Sequence, residues 1–587
     1  MKVLFEGYPY ELNTLKGILE DSLYVPLQNG TATIPFVGYY LSQEIKDSVF
    51  ILPKVFVSDN KAFGRYKLDA IIDVHSNSED AQSDLKKYID SKDSEVVFGL
   101  STWLYQAISL FDQRNRDNDI TDNAYIQNVV STRGEDSETF LDTVLSLIKF
   151  HRDHKNLFTF IANLKHSGRN RIHWGKTVNK TQALIQDDEV LYLHPIAKDH
   201  SINYDEELII LFYSVLNYLK DKYNFRVEKA IEYILIPPQI IDNYIISGKG
   251  LRILKSIRYK YYTDELVSLW NLLKVFFSKA YDIANKNFHK EKLLVRNFNI
   301  VFEDMIDAII GEDHSLDELK NQQDGKIIDH IYKGPALIPE SEIYFIGDSK
   351  YYKDSTDLTG SALYKQYTYA KNVIQYNIDI FNSVLVPKKI SDRAKIKYLD
   401  PITEGYNPTP NFFIRGSVNT SSDNYPDYSD DELIEEGEER ISYHFHNRLF
   451  DRDTLILQTY NINFLFVLSA YVSQTDNSEL RNKLRLKFRG DIIEILNRRY
   501  VFYKLKPKKN DGEDNSTAIT RFIEKHFRKL AGKIYQNSEN DDFIWLAMER
   551  LSFDKESRDF NSVVDEGILA DISQDCNPSI LETVLLQ

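Results

Sequence analysis

The apolar and polar positions of this chain change period several times, and the changes mark its elements. Short β-rich runs open it: Thr33-Ile-Pro-Phe-Val-Gly-Tyr-Tyr40 and Val49-Phe-Ile-Leu-Pro-Lys-Val-Phe-Val57, bounded by turn residues. They predict a small β-rich module over residues 1–120, which also holds a polar stretch (76–94) and an apolar helix near 96–111. From 121 to 290 the period becomes helical, over 137–163 and over 205–223, where Leu208, Leu211, Phe212, Val215, Leu216 and Leu219 form a stripe. A further helix is expected over 291–310, with Leu294, Phe298, Val301, Phe302, Met305 and Ile309 on one side and Gly311 as its stop. Two short runs follow. Lys326-Ile-Ile-Asp-His-Ile-Tyr-Lys333 lies between Asp324-Gly325 and Gly334-Pro335, and Ile343-Tyr-Phe-Ile-Gly347 is an unbroken apolar run of the kind buried on both faces. Their short connector predicts adjacent antiparallel strands, and residues 363–370 open the next helix.

Beyond that point the pattern is less regular. Residues 387–440, with an acidic run near 420–440, predict a surface loop or insertion. Arg481, Lys483, Arg485, Lys487 and Arg489 alternate with Leu484, Leu486 and Phe488, which predicts a strand with one basic face. The tail, 511–587, reads as helical around 520–535 and 544–551. The fold class expected is therefore a multidomain α+β protein: a β-rich module, a helical middle (121–290), an α/β core (291–510) and a helical tail.

Composition narrows the function. A net charge of −16 over 587 residues argues against a protein that coats nucleic acid indiscriminately, so basic residues in contact with DNA must be segregated. The single cysteine, Cys576, excludes a disulfide framework and a cysteine metal site. No N-terminal leader and no apolar run of eighteen residues is seen, so a soluble, cytoplasmic chain without membrane contact is expected. Gly175-Lys176-Thr177 resembles the end of a phosphate-binding loop, but the glycine needed five positions earlier is Asn170, so no nucleotide site is expected.

The chemistry concentrates in the expected core. Asp348 and Lys350 are two apart at the end of an apolar run, so in a strand they share a face. A carboxylate and an ammonium so placed suit metal-dependent phosphodiester hydrolysis, although an Asp-x-Lys triplet alone is more readily a surface pair at a strand end. Asp329 sits within the preceding run, where an isolated charge is costly unless compensated. Glu303 lies in the helical stripe before it, and Gln366 and Tyr369 lie in the helix after. Asp329, Asp348, Glu303 and the carbonyl of Ser349 are candidate ligands for Mg²⁺, with Mn²⁺ as a substitute. Lys350 is the candidate for positioning or activating the water, with Gln366 and Tyr369 steadying it or a phosphate. The row 481–489, together with Lys255 and Arg258 in a stretch interleaved with Tyr259, Tyr261 and Tyr262, supplies candidate DNA contacts or merely solvated faces.

The order of these elements (helix with Glu, strand with Asp, strand with Asp-x-Lys, helix with Gln and Tyr) resembles the PD-(D/E)xK nuclease core, without the proline before Asp329. Trp174-Gly-Lys-Thr177, Phe302-Glu303, Ile328-Asp-His-Ile-Tyr332, Gly347-Asp-Ser-Lys-Tyr351 and Asn447-Arg-Leu-Phe-Asp-Arg-Asp-Thr454 together resemble the LlaJI-type restriction endonucleases, relatives of McrC, over roughly 125–510. That resemblance implies the nuclease subunit of a phage-defence restriction system, cutting double-stranded DNA together with a McrB-like AAA+ GTPase or ATPase. It also implies that the N-terminal module docks that motor. A stand-alone repair or resolvase-type nuclease, and an inactive DNA-binding or assembly subunit, are the alternatives.

Overall fold

The computed structural model describes residues 2–58, 61–63, 66–67, 72–73, 91–117, 129–131, 139–154, 160–166, 171–187, 189–203, 206–223, 233–285, 291–311, 316–320, 327–338, 341–351, 360–382, 397–418, 434–442, 444–473, 477–536, 542–550, 564–577 and 583–586. The chain is a mixed α and β protein with several small sheets. It divides into two compact units, each assembled from separated segments. One comprises Met1–Leu52, Leu68–Tyr105 and Thr121–Arg296; the other comprises Pro53–Lys67, Gln106–Ile120 and Asn297–Gln587.

In the first unit a six-stranded sheet runs in the order Ile72–Asp73, Lys2–Phe5, Asp47–Leu52, Phe36–Ser42, Lys292–Arg296, Val129–Ser131. The β-rich runs expected near the N-terminus are there, but they recruit a late strand. Lys292–Arg296 pairs antiparallel with Phe36–Ser42, so the first residues of the expected 291–310 helix are extended instead. Leu293, Leu294 and Val295 are all buried, the mark of a strand covered on both sides. The helices of this unit include Phe140–Asp153, Glu207–Tyr223, Pro238–Ile246, Lys249–Ile257 and Asp264–Ala284. Phe140–Asp153 starts at a capping box, in which Thr139 and Asp142 satisfy each other's backbone amides. The helix expected over 137–163 stops there, and Phe160–His166 is a strand paired with Ile196–Ile202. Gly175-Lys176-Thr177 lies in a short helix, Trp174–Lys180, and Trp174 is exposed with its ring 6.3 Å from that of Tyr192.

The second unit is built on a five-stranded sheet. Its elements are α1 (Asn299–Ile310), β1 (His330–Pro335), β2 (Glu342–Lys350), α2 (Gly360–Asn382), β3 (Thr409–Ser417), β4 (Ile434–Ser442), β5 (Leu455–Asn463), α3 (Phe464–Ser473) and α4 (Ser478–Arg499). The sheet order is β1-β2-β3-β5-β4. β1 and β2 are antiparallel, as their spacing predicts; β2, β3 and β5 are parallel, and α2 makes the crossover between β2 and β3. β4 is an antiparallel edge strand with a bulge between Glu436 and Glu439, and β3 is a buried inner strand, so neither 409–417 nor 434–440 is the loop expected over 387–440. The earlier part of the acidic run, 419–433, lies outside the described residues.

An aromatic layer joins one face of this sheet to α4 and α1. Tyr332 stacks on Phe345 at 5.1 Å, Phe412 on Phe488 at 4.9 Å, and Phe302 on Phe464 at 5.8 Å. Gly347 is required by this packing, because a Cβ there would come within 2.0 Å of the Phe412 ring.

Two expectations fail in the C-terminal third. Residues 481–489 are not a strand: Leu484, Phe488, Ile492 and Leu496 are buried at four-residue spacing along α4, and this longer helical stripe overrides the nine-residue alternation. In the tail, Asn515–Leu530 is helical as expected, but Ile544–Glu549 is the buried strand of a small sheet with Tyr500–Leu505.

Candidate active site

β2 presents its residues alternately to its two faces. Phe345, Gly347 and Ser349 belong to the aromatic side, and Ile346, Asp348 and Lys350 to the other. Asp348 is buried, and Lys350 folds back to ion-pair with its carboxylate while lying 5.6 Å from the Phe413 ring. β1 begins at His330, four residues after the start of the run at Lys326, so Asp329 stands at the strand entrance rather than within it. The pairing of His330 with Gly347 nevertheless carries Asp329 to the place opposite Asp348. Its Oδ2 accepts the Ser349 backbone N–H at 3.1 Å.

Burial holds the Asp329 carboxyl well above the ordinary aspartate range; the charges of Asp348 and Glu303 push it further, a hydrogen bond with Asp348 adds to this, and Lys350 opposes them. Glu303, on α1, belongs to the same cluster. Burial first, and then the Asp348 charge, push its carboxyl up to about 7, against Asn299, Lys350 and Lys365. Asn299 Nδ2 donates to Glu303 Oε1 at 3.3 Å. The fold therefore brings together Glu303, Asp329, Asp348 and Lys350 from one helix and two strands.

Gln366 and Tyr369 meet groups other than Lys350 in this structure. Gln366 is buried and its Nε2 donates to the Ile346 carbonyl at 3.4 Å, which ties α2 to the back of the strand. Tyr369 serves Lys365, whose Nζ lies 5.2 Å from its ring. Lys365 is a residue that sequence reasoning passed over. Burial alone would lower its pKa, but the hydrogen bond with Tyr369 and the charges of Asp348 and Asp329 raise it. Its place one turn from Tyr369 was the available signal.

The donor set fits a hard cation. Three carboxylates, one buried and two partly buried, share one close ammonium, and the Asp348 charge raises the proton affinity of both Glu303 and Asp329, an imbalance that a divalent ion would remove. As they stand, with Lys350 on Asp348, no three His, Cys, Asp or Glu side chains among the described residues form a ready metal-binding group.

The basic residues proposed for DNA have other partners. Arg485 donates to the Ile310 and Gly311 carbonyls at 2.8 and 2.9 Å, closing the C-terminus of α1, and lies 4.5 Å from the Tyr332 ring. Arg481 reaches the Ala308 carbonyl at 3.4 Å, and Arg489 reaches that of Ala336 at 3.0 Å. Lys487 pairs with Glu436 at 2.8 Å and Asp491 at 3.2 Å, whereas Lys483 is exposed. The single basic face is thus corrected: on a helix, residues two apart diverge. In the first unit Lys255 is exposed, while Arg258 stacks over Trp270 at 5.2 Å and donates to the Tyr261 carbonyl at 3.0 Å.

No family model, curated protein or solved structure matches this chain.

Proposed function

We propose that the second unit is a Mg²⁺-dependent nuclease of the PD-(D/E)xK type that cleaves double-stranded DNA. One observation carries the reading: Glu303, Asp329, Asp348 and Lys350, drawn from separate segments, meet in one cluster at the end of a pair of strands, with Lys350 paired to the buried Asp348 and the Asp348 charge acting on both Glu303 and Asp329. The element order α1, β1, β2, α2 supports it as well. Asp329, Asp348 and Glu303, with the carbonyl of Ser349, would hold Mg²⁺ or Mn²⁺. A bound divalent ion would supply an activated water and offset charge on the phosphodiester.

The chain's own residues do the rest. Lys350, which rests on Asp348 in this structure, would hold the attacking water or a phosphate oxygen. Lys365 provides a second positive charge on the same side. Without a cation the Glu303 carboxyl is pushed up to about 7, so cation binding near neutral pH would release its proton. Through the LlaJI and McrC resemblance, the chain is the nuclease subunit of a restriction system, working in the cytoplasm. The absence of a P-loop from its sequence agrees with a separate McrB-like AAA+ motor as the source of nucleotide energy.

Cleavage of supercoiled plasmid in Mg²⁺, with and without an NTPase encoded next to this chain, tests the reading. Lys350→Ala is expected to lower cleavage by at least about 100-fold, the usual loss for a group that stabilises transition-state charge. Cleavage by that variant at the wild-type rate would sink the assignment. Activity without any NTPase would favour a stand-alone nuclease. The closed Lys350–Asp348 pair favours a second reading, a subunit with an inactive core; failure of calorimetry to detect Mn²⁺ binding to the wild-type chain would establish it.

A further inference from the structure

Behind the acidic cluster, on the aromatic side of β1 and β2, lies a second polar chain. His330 is fully buried and its Nε2 is 2.6 Å from Ser349 Oγ. Its Nδ1 is 3.3 Å from Asp307 Oδ1, and Asp307 Oδ2 accepts from Lys320 Nζ at 2.5 Å. Burial alone would raise the Asp307 carboxyl, but the hydrogen bond and charge of His330, with Lys320, hold it below the usual range.

The positions of these residues matter more than the chain itself. His330 follows Asp329 directly, and Ser349 stands between Asp348 and Lys350. Neighbours in a strand point to opposite faces, so each residue of the rear chain is the back of a residue of the cluster. His330 and Ser349 are diagonal partners across the two strands, while Asp329 and Asp348 stand opposite each other on the front. Like charges in that position repel, and burial makes the repulsion costlier. Asp307 completes the geometry: it is four residues from Glu303 on α1, one helical turn away. The chain therefore ties together the three elements that carry the three carboxylates.

We infer that His330, Ser349 and Asp307 are positioning residues, a buried clamp that fixes β1, β2 and α1 at the spacing in which Asp329, Asp348 and Glu303 present one site to a divalent cation. This rests on the metal-dependent reading above. A chain that only satisfied its own polar atoms would contribute to stability and leave cation affinity alone; a clamp sets the affinity.

Mn²⁺ affinity by calorimetry on the full chain, with melting temperatures in EDTA and in Mn²⁺, separates the two. Ser349→Ala and His330→Phe break the same hydrogen bond from either end. Each is expected to weaken Mn²⁺ binding by about 10- to 100-fold, the usual effect of losing a partner that orients metal ligands. The double variant is expected to be no weaker than His330→Phe, which already removes the bond that Ser349→Ala breaks and the one to Asp307 as well. Ser349→Thr, which keeps the hydroxyl, is expected to restore binding and the melting-temperature rise on adding Mn²⁺. If one variant does not fold, the other still reads the same bond. Wild-type Mn²⁺ affinity in either folded variant, or loss of melting temperature in EDTA with an undiminished rise in Mn²⁺, overturns the clamp alone. A wild-type chain that takes up no Mn²⁺ overturns the metal-dependent reading, and the clamp with it.

Discussion

Glu303 shows how far a side chain's neighbours decide its chemistry. In water its carboxyl would lose its proton near 4.5; in this fold it does so at about 7. A carboxyl raised on folding binds protons more tightly in the native state, so its contribution to stability is present at low pH and is lost as pH rises through about 7. Unfolding by urea in EDTA is therefore expected to show stability falling from pH 5 to pH 8, with up to about 3 kcal/mol of the fall due to this one residue. Glu303→Gln removes the titrating group and is expected to flatten that slope; an identical slope in both proteins would refute the assignment. Mn²⁺ should reverse the sign, because the cation favours the charged carboxylates. Asp329 responds in the same direction as Glu303. The residue identities of this cluster were legible in the sequence, because a charge inside or at the end of an apolar run stands out. Lys365 was legible only as a helical neighbour of Tyr369; its place beside the cluster depends on the Asp348 and Asp329 charges that the fold brings near it.

At the scale of elements, α4 is the instructive case. Basic and apolar residues alternate at 481–489 as they would in a strand, yet a helix forms because its apolar stripe continues to Leu496. The arginines then act at a helix end: Arg485 completes the carbonyls that α1 leaves open at Ile310 and Gly311. Arg485→Met, which keeps much of the aliphatic stem, is expected to cost about 2 kcal/mol in urea unfolding, the usual loss for hydrogen bonds to a charged donor. If instead it weakened DNA binding and left stability untouched, the DNA role would be restored. Helix α1 itself shows the limit of a periodic reading. Its C-terminal half was evident, but the residues before Asn299 pair with Phe36–Ser42, a partner more than 250 residues earlier.

For the molecule as a whole, linear boundaries are misleading. The unit that carries the cluster includes Pro53–Lys67 and Gln106–Ile120 as well as everything from Asn297 onward. Phe56 packs on Phe464 at 5.4 Å, the Lys54 backbone N–H donates to Tyr351 Oη at 2.9 Å, and Arg114 lies 4.9 Å from the Tyr471 ring. A fragment cut at 291, where the sequence pattern places a domain boundary, is expected to lack the cooperative thermal transition of the full chain. A sharp transition at the full-chain temperature would show these early segments to be dispensable. Among the described residues no helix is long and apolar enough to cross a membrane, in keeping with the absence of long apolar runs.

By itself, the sequence determined the local matters: which stretches alternate at strand or helix period, that β1 and β2 are antiparallel neighbours, and that Asp348 and Lys350 share a face. Those depend on interactions between residues a few positions apart. Only the tertiary structure decided that Lys350 rests on Asp348, that Glu303 joins Asp329, and that His330 and Ser349 meet behind them. It also decided that the arginines of α4 are spent on carbonyls of the fold. These outcomes follow from desolvation and from pairing between distant segments, and the same residue can end as ligand, clamp or cap depending on which segment arrives beside it.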